Sequence, residues 1–125
     1  MKKVLIIEDE YQEVRIAFEY VNAIYFENKL EYTVVAKSQE VPFGDIESFD
    51  YIFVDIKLAK KTILDGYGIL GKIEKEHPNV KRVIILTGNN KITETLRERG
   101  VKKNYQVLTK PIDITDLKEV FNKLI

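Results

Sequence analysis

The chain has 125 residues, 45% of them hydrophobic and 32% charged, which fits a single domain over residues 1–125 with a buried core. Its 20 basic and 20 acidic residues give a formal net charge of zero. This balance excludes an overall electrostatic field that attracts nucleic acid or anionic lipid, and we expect neither as a direct partner. The sequence contains no cysteine, which excludes disulfides and thiolate chemistry and suits the reducing cytoplasm, where we expect the protein. No apolar run approaches the length of a membrane span.

Five short apolar runs predict β-strands, because β-branched and aromatic runs between polar stretches are typical of strands buried on both faces. The predicted strands are residues 4–7, 32–36, 50–55, 82–86 and 105–109. Helical or turn-rich segments alternate with them. The alternation predicts an α/β fold of (βα)₅ type, with a parallel five-stranded sheet covered on both faces.

Periodicity and capping residues predict the helices. They are expected over residues 10–28, from about 65 to 77, over 89–99 and after 113. Asp65 and Asp113 are predicted N-caps, and Gly100 is expected just beyond a helix end. Between the second and third strands, Pro42 and Gly44 predict that any helix is short or distorted.

The apolar spacing also predicts which helices are firmly packed. The first helix has a predicted inward face of Val14, Ala17, Phe18, Val21, Ile24 and Tyr25. The last helix has a continuous stripe of Ile114, Leu117, Val120, Phe121 and Leu124. The helix over 89–99 has only Ile92 and Leu96, so we expect it to be the most loosely held.

Polar residues suited to binding or catalysis occur at the carboxyl ends of the predicted strands, and these ends lie on one edge of a parallel sheet. They are Glu8, Asp9, Asp55, Thr87 and Lys110. Three carboxylates packed together repel one another unless a cation joins them. Mg²⁺ is the natural cation, because it prefers oxygen ligands, and the chain has neither a thiol nor a second histidine to favour zinc.

This combination suits phosphoryl chemistry. With a bound cation, Asp55 could act as a carboxylate nucleophile toward phosphorus and form an acyl phosphate. The Lys110 ammonium and the Thr87 hydroxyl would then hold the oxygens of the transferred group.

The order and spacing of these motifs resemble the receiver domain of two-component response regulators, and the resemblance spans the whole chain. The matching segments are Val4–Glu10, Phe53–Asp55, Asp65-Gly66, Ile84–Gly88 and Leu108–Pro111. The resemblance implies a flavodoxin-like three-layer sandwich with strand order 2-1-3-4-5. It also implies a cis peptide between Lys110 and Pro111.

The resemblance further implies the role of each residue. Asp55 would accept a phosphoryl group from a sensor histidine kinase or phosphotransfer protein, with self-catalysed transfer and later hydrolysis. Asp9 would bind Mg²⁺ directly, Glu8 mainly through water, and Lys57 through its backbone carbonyl, alongside Asp55. Thr87 and Lys110 would read the phosphorylated state.

The output implied by the resemblance is a surface built from the fourth helix, the fifth strand and the fifth helix. This surface, residues 89–99, 105–109 and 113–124, would change on phosphorylation and bind a downstream effector protein. Dimerisation of the chain is compatible with the same resemblance.

Two departures from the family pattern concern the loop and the switch. The loop from Asp55 to Asp65 is longer than usual, and Ala59 stands where a proline is common. The usual aromatic switch position is occupied by Val107, and Tyr105 lies two residues earlier. Either Tyr105 substitutes from a shifted place, or the aromatic part of the switch is missing.

Other interpretations of the motifs remain. A phosphorylation-independent scaffold of the same fold is the main alternative function. A phosphohydrolase of the haloacid dehalogenase type is disfavoured, because Lys57 replaces the second aspartate of its D-x-D motif. The G-x-G-x-x-G run at residues 66–71 indicates a helix start, since no strand directly precedes it. His77 is expected to cap a helix, and the Lys57, Lys60 and Lys61 cluster to be a solvated loop or a partner contact.

Overall fold

The computed structural model describes residues 2–58, 61–89 and 91–122, and these form a parallel five-stranded sheet. The strands are β1 (Lys2–Ile7), β2 (Leu30–Val35), β3 (Tyr51–Asp55), β4 (Val83–Thr87) and β5 (Gln106–Thr109). Their spatial order is β2-β1-β3-β4-β5, and every neighbouring pair is parallel. The predicted flavodoxin-like order 2-1-3-4-5 is confirmed.

Four α-helices connect the strands. They are α1 (Tyr11–Tyr25), α2 (Gly66–Glu76), α3 (Thr93–Glu98) and α4 (Ile114–Asn122). The crossover between β2 and β3 instead contains two 3₁₀ turns, Ser38–Glu40 and Phe43–Ser48. Pro42 lies between these turns and lacks the N–H that a continuous helix needs, in agreement with the prediction of a short or distorted element.

The sheet lies between two cores, which makes the predicted three-layer sandwich. Alternate side chains of the central strands enter opposite cores: Leu5 and Ile7 pack on the side of α2 and α3, and Val4 and Ile6 on the side of α1 and α4. Because β1, β3 and β4 are covered on both faces, their sequences are nearly continuous in hydrophobicity.

The inward face of α1 is narrower than predicted. Val14, Phe18 and Val21 are buried, but Ile24 is 58% exposed and Tyr25 is 43% exposed. At 100° per residue, Ile24 lies about 60° around the helix from Val21, away from the sheet. The regular apolar spacing thus extends beyond the buried face: Ile24 lies to one side of it, and Tyr25 is exposed at the end of the helix.

The helix α3 is shorter than predicted, because residues 89, 91 and 92 are not helical. The Asn89 N–H donates to Thr87 Oγ1, and the Lys91 N–H donates to Asn89 Oδ1. Such local side-chain bonds compete with helix formation and delay the helix start to Thr93. Its end is as predicted, since Gly100 follows with a φ of 81°.

The remaining predictions about the helices concern caps and anchors. Asp65 accepts a hydrogen bond from Gly68 N, and Asp113 accepts one from Asp116 N, so both predicted N-caps are confirmed. Ile92 and Leu96 are buried as expected. Leu124 of the last apolar stripe lies outside the described residues. Among the helices described, none has the length and apolar character needed to cross a membrane.

Candidate functional site

The carboxyl ends of four strands bring the five predicted site residues to one edge of the sheet. Glu8 and Asp9 follow β1, Asp55 ends β3, Thr87 ends β4 and Lys110 follows β5. The parallel registers produce this convergence, since Asp55 is level with Leu86 and Thr87 with Thr109. Three of the five side chains, Glu8, Asp55 and Thr87, are buried.

The three carboxylates form a compact acidic cluster. One oxygen each of Glu8, Asp9 and Asp55 lies within 4.8 Å of the others. This separation is short enough for one small cation to contact all three residues.

Lys110 neutralises part of this cluster. Its Nζ forms a short ion pair with Glu8 Oε1 and lies 3.4 Å from Asp55 Oδ1. Burial alone would lower the pKa of Lys110, but the carboxylates of Glu8 and Asp55 outweigh it and hold that pKa above its ordinary value. The ammonium is therefore charged at neutral pH.

Glu8 is the most deeply buried carboxylate of the cluster. Burial, followed by the adjacent Asp55 carboxylate, raises the pKa of Glu8 to about 7, against the opposing effects of Lys110 and the Glu10 N–H. Its Oε2 accepts a hydrogen bond from Glu10 N at 3.2 Å. Its buried Oε1 is the oxygen that contacts the Lys110 ammonium. One ammonium therefore does not compensate for two closely spaced buried carboxylates.

Asp55 is held by its own loop as well as by Lys110. The backbone N–H of Lys57 donates to Asp55 Oδ1 at 3.1 Å, while the Lys57 side chain is exposed. These contacts orient the carboxylate toward a cleft of about 140 Å³, which Asp9, Thr87 and Lys110 also line. The cleft has room for a small anionic group and little more.

Thr87 contributes its hydroxyl to the same cleft. Thr87 Oγ1 accepts a hydrogen bond from Asn89 N at 3.0 Å, which leaves the hydroxyl proton available for donation. The backbone N–H of Lys110 donates to the Thr87 carbonyl oxygen at 2.7 Å, so the ends of β4 and β5 are tied together. The peptide between Lys110 and Pro111 is cis, as predicted.

The first turn of α2 packs directly behind Asp55, a contact that the sequence does not reveal. A Cβ placed on Gly66 would lie 2.4 Å from the Asp55 carbonyl oxygen and 2.5 Å from Ile56 Cα. Only glycine permits this approach. The Asp65-Gly66 dipeptide is one of the segments that match the family pattern, but its role depends on how the helix docks.

Tyr105 does not take the place of an aromatic switch beside Thr87. It lies just before β5, at the opposite end of that strand from the cleft, and its hydroxyl donates to Glu74 Oε2 on α2 at 2.7 Å. Val107 is partly buried against the core beside α2 and α3. Of the two interpretations of this pair, the structure favours a missing aromatic switch.

The other motifs take structural roles. His77 is the C-cap of α2 and stacks on Phe43, with ring centroids 5.8 Å apart, as the capping interpretation expects. The G-x-G-x-x-G run opens α2 after a loop, so it lacks the preceding strand of a dinucleotide site. Lys57 and Lys61 are exposed, and Lys60 and Ala59 lie outside the described residues.

The fold and the site together define a flavodoxin-like α/β domain with an acidic cluster at the carboxyl ends of its strands. The family described as the response regulator receiver domain matches residues 4–122. The chain therefore belongs to the receiver domains of two-component response regulators. No curated protein gives a match.

Solved structures with the same fold cover nearly the whole chain. The receiver domain of NtrX from Brucella abortus is 23% identical with a TM-score of 0.70, and the match covers 96% of this chain and 95% of that one. The receiver domain of the Francisella response regulator 1452 is 27% identical with a TM-score of 0.69, covering 99% and 96%. The receiver domain of sensor histidine kinase PA1611 from Pseudomonas aeruginosa PAO1, with magnesium coordinated in its active-site cleft, is 23% identical with a TM-score of 0.71, covering 98% and 95%.

Proposed function

We propose that Asp55 accepts a phosphoryl group from a phosphohistidine of a sensor histidine kinase or phosphotransfer protein, and that this chain acts as a phosphorylation-controlled switch in the cytoplasm. One observation carries the proposal: a buried carboxylate faces a small cleft between an acidic cluster, an ammonium and a hydroxyl. An aspartate that only ended a strand and began a turn would not require these surrounding groups.

The acidic cluster fits a divalent cation. Glu8 and Asp55 are buried carboxylates that share the Lys110 ammonium, and together with Asp9 they offer only oxygen donors, which Mg²⁺ prefers. We propose that Asp9, Asp55 and the backbone carbonyl of Lys57 hold Mg²⁺ directly and that Glu8 does so mainly through water. When bound, the ion would neutralise charge on the phosphoryl oxygens. The magnesium in the PA1611 receiver domain supports this assignment.

In the proposed transfer, a carboxylate oxygen of Asp55 attacks phosphorus. The new P–O bond forms as the P–N bond of phosphohistidine breaks, and the departing imidazole takes up a proton. Lys110 stabilises the charge on the phosphoryl oxygens through its ammonium, and Thr87 donates its hydroxyl proton to one of them. The Lys57 N–H keeps the Asp55 carboxylate oriented while this happens.

The proposed output is a change in the surface formed by α3, β5 and α4, which an effector protein would read. The helix α3 has only six residues, and it is anchored by the buried Leu96 within it and the buried Ile92 just before it. Few apolar contacts make such an element easy to displace. Movement of Thr87 toward a phosphoryl group would pull on the residues that connect β4 to α3, because Asn89 N donates to its hydroxyl.

Intact mass spectrometry tests the proposed phosphoacceptor. The chain is incubated with Mg²⁺ and acetyl phosphate, and the mass of the wild type is compared with that of Asp55→Asn. Asp116→Asn is the matched control, since Asp116 is an exposed aspartate on α4. We expect one phosphoryl adduct on the wild type and on the control, and none on Asp55→Asn. An adduct that persists in Asp55→Asn moves the site elsewhere.

A phosphorylation-independent scaffold remains the second candidate function. The bond from Tyr105 to Glu74 favours it, because the aromatic part of the family's switch is absent from β5. The same experiment separates the two candidates. A wild type that acquires no adduct supports the scaffold, whereas an adduct confined to Asp55 supports the switch.

A further inference from the structure

The long loop after β3 is fastened to the 3₁₀ turn that stands where a second α-helix would be. The first point of attachment is Thr62, whose hydroxyl both accepts and donates a hydrogen bond. Thr62 Oγ1 accepts a hydrogen bond from Ser38 N at 2.9 Å and donates one to the Leu64 carbonyl oxygen at 2.6 Å. Thr62 thus joins the loop to a turn that is 24 residues away in sequence.

Two side chains of the turn complete the attachment. Leu64 N donates to Ser38 Oγ at 2.8 Å, and Ser38 is only 4% exposed. Gln39 binds the loop backbone at two places: its Oε1 accepts from Ile63 N, and its Nε2 donates to the Lys61 carbonyl oxygen at 2.7 Å. We refer to Ser38, Gln39 and Thr62 as the loop clamp.

The clamped loop begins at the reactive carboxylate. Lys57 N donates to Asp55 Oδ1, and Ile56 and Leu58 on either side of Lys57 are buried in the core. At its other end the loop leads into Gly66, which packs on the Asp55 carbonyl oxygen. The loop clamp therefore holds residues 61–64, which lie between these two anchored ends.

We propose that the loop clamp is a positioning device that keeps the Lys57 backbone in the geometry needed beside Asp55. Without it, this longer loop would sample more conformations, and binding a cation through the Lys57 carbonyl would carry the entropy cost of ordering it. The inference rests on the proposed function, because it assigns part of the Mg²⁺ site.

The test is a Mg²⁺ titration of the full chain without any phosphodonor, followed through the backbone amide signal of Lys57 by NMR. The double variant Gln39→Ala/Thr62→Val removes most of the loop clamp, and Thr62→Ser retains the hydroxyl. Thr33→Val is the matched control, since Thr33 is an exposed threonine on β2, outside the loop clamp. We expect the double variant to weaken the Mg²⁺ Kd about tenfold, the lower end of the effect of outer-shell substitutions.

Each outcome bears on the inference in a different way. Thr62→Ser and Thr33→Val should keep the wild-type Kd. A folded double variant with the wild-type Kd, or a wild-type Lys57 amide that does not respond to Mg²⁺, overturns the positioning role. If the double variant does not fold, Thr62→Val alone serves for the same comparison. A wild type that binds Mg²⁺ but takes no phosphoryl group from acetyl phosphate refutes the proposed function, while the Kd comparison still tests the loop clamp.

Discussion

The close packing of Gly66 against the end of β3 predicts that Gly66→Ala is harmful although alanine is the better helix former. The added Cβ would lie 2.4 Å from the Asp55 carbonyl oxygen, 2.5 Å from Ile56 Cα and 2.9 Å from the Ile56 carbonyl oxygen. All three contacts are to backbone atoms, which cannot rotate away as a flexible side chain can. Either α2 or the end of β3 has to move.

The size of the effect follows from two opposing contributions. Inserting a methyl group where backbone shifts are required costs about 1–3 kcal/mol. Helix propensity returns at most about 1 kcal/mol when glycine becomes alanine. We therefore expect Gly66→Ala to lower the free energy of unfolding by up to about 2 kcal/mol, after the gain in propensity is subtracted from the cost of crowding.

Gly71 provides the matched control, because it lies in the same helix and a Cβ placed on it would have no heavy atom within 4 Å. We expect Gly71→Ala to raise the free energy of unfolding by about 0.5–1 kcal/mol. Urea unfolding followed by circular dichroism measures both variants. Thermal unfolding should show the same contrast. For a domain of this size the two Tm values should move in opposite directions, by about 3–5 °C per kcal/mol.

The same crowding should disturb the site. Displacement of the Asp55 and Ile56 backbone would weaken the bond from Lys57 N to Asp55 Oδ1, so Gly66→Ala should be phosphorylated more slowly by acetyl phosphate than Gly71→Ala. If Gly66→Ala is as stable and as reactive as Gly71→Ala, the close packing behind Asp55 is not a constraint and the reasoning is refuted.

Two further predictions concern contacts away from the cleft. Tyr105→Phe removes the hydroxyl bonded to Glu74 and should lower the free energy of unfolding by about 0.5–1.5 kcal/mol in urea, with the rate of phosphorylation unchanged; a slower rate would connect Tyr105 to the site. Burial favours a higher pKa for Asp50, but the Lys3 N–H and the Lys81 ammonium outweigh it and hold that pKa below its ordinary value of 3.8. The stability that Asp50 contributes is therefore present above pH 3.8 and is lost as the pH falls through its lower folded-state pKa. Urea unfolding of wild type and Asp50→Asn should show a difference at pH 6 that shrinks toward pH 3, and a constant difference contradicts it.

The N-terminal end of α3 is a place where local sequence patterns predict the structure wrongly. Apolar periodicity predicts a helix from residue 89, but the side chains of Thr87 and Asn89 accept local backbone hydrogen bonds, and α3 begins only at Thr93. These bonds form because Thr87 is fixed at the end of a buried strand. Spacing along the chain carries no information about that alternative.

The sequence by itself determined the alternation of strands and helices, the two-sided burial of the central strands and the identity of the residues at their carboxyl ends. Such features depend on local hydrophobic runs and on the geometry of parallel sheets. The pattern alone therefore groups Glu8, Asp9, Asp55, Thr87 and Lys110 at one edge of the sheet.

Only the tertiary structure decided how these residues are supported. The contact of Gly66 with Asp55, the bond from Tyr105 to Glu74 and the attachment of Thr62 to Ser38 each join residues that are distant along the chain. Their existence depends on how whole elements dock against one another. That docking is set by packing of the two cores, which no pattern within a single element specifies.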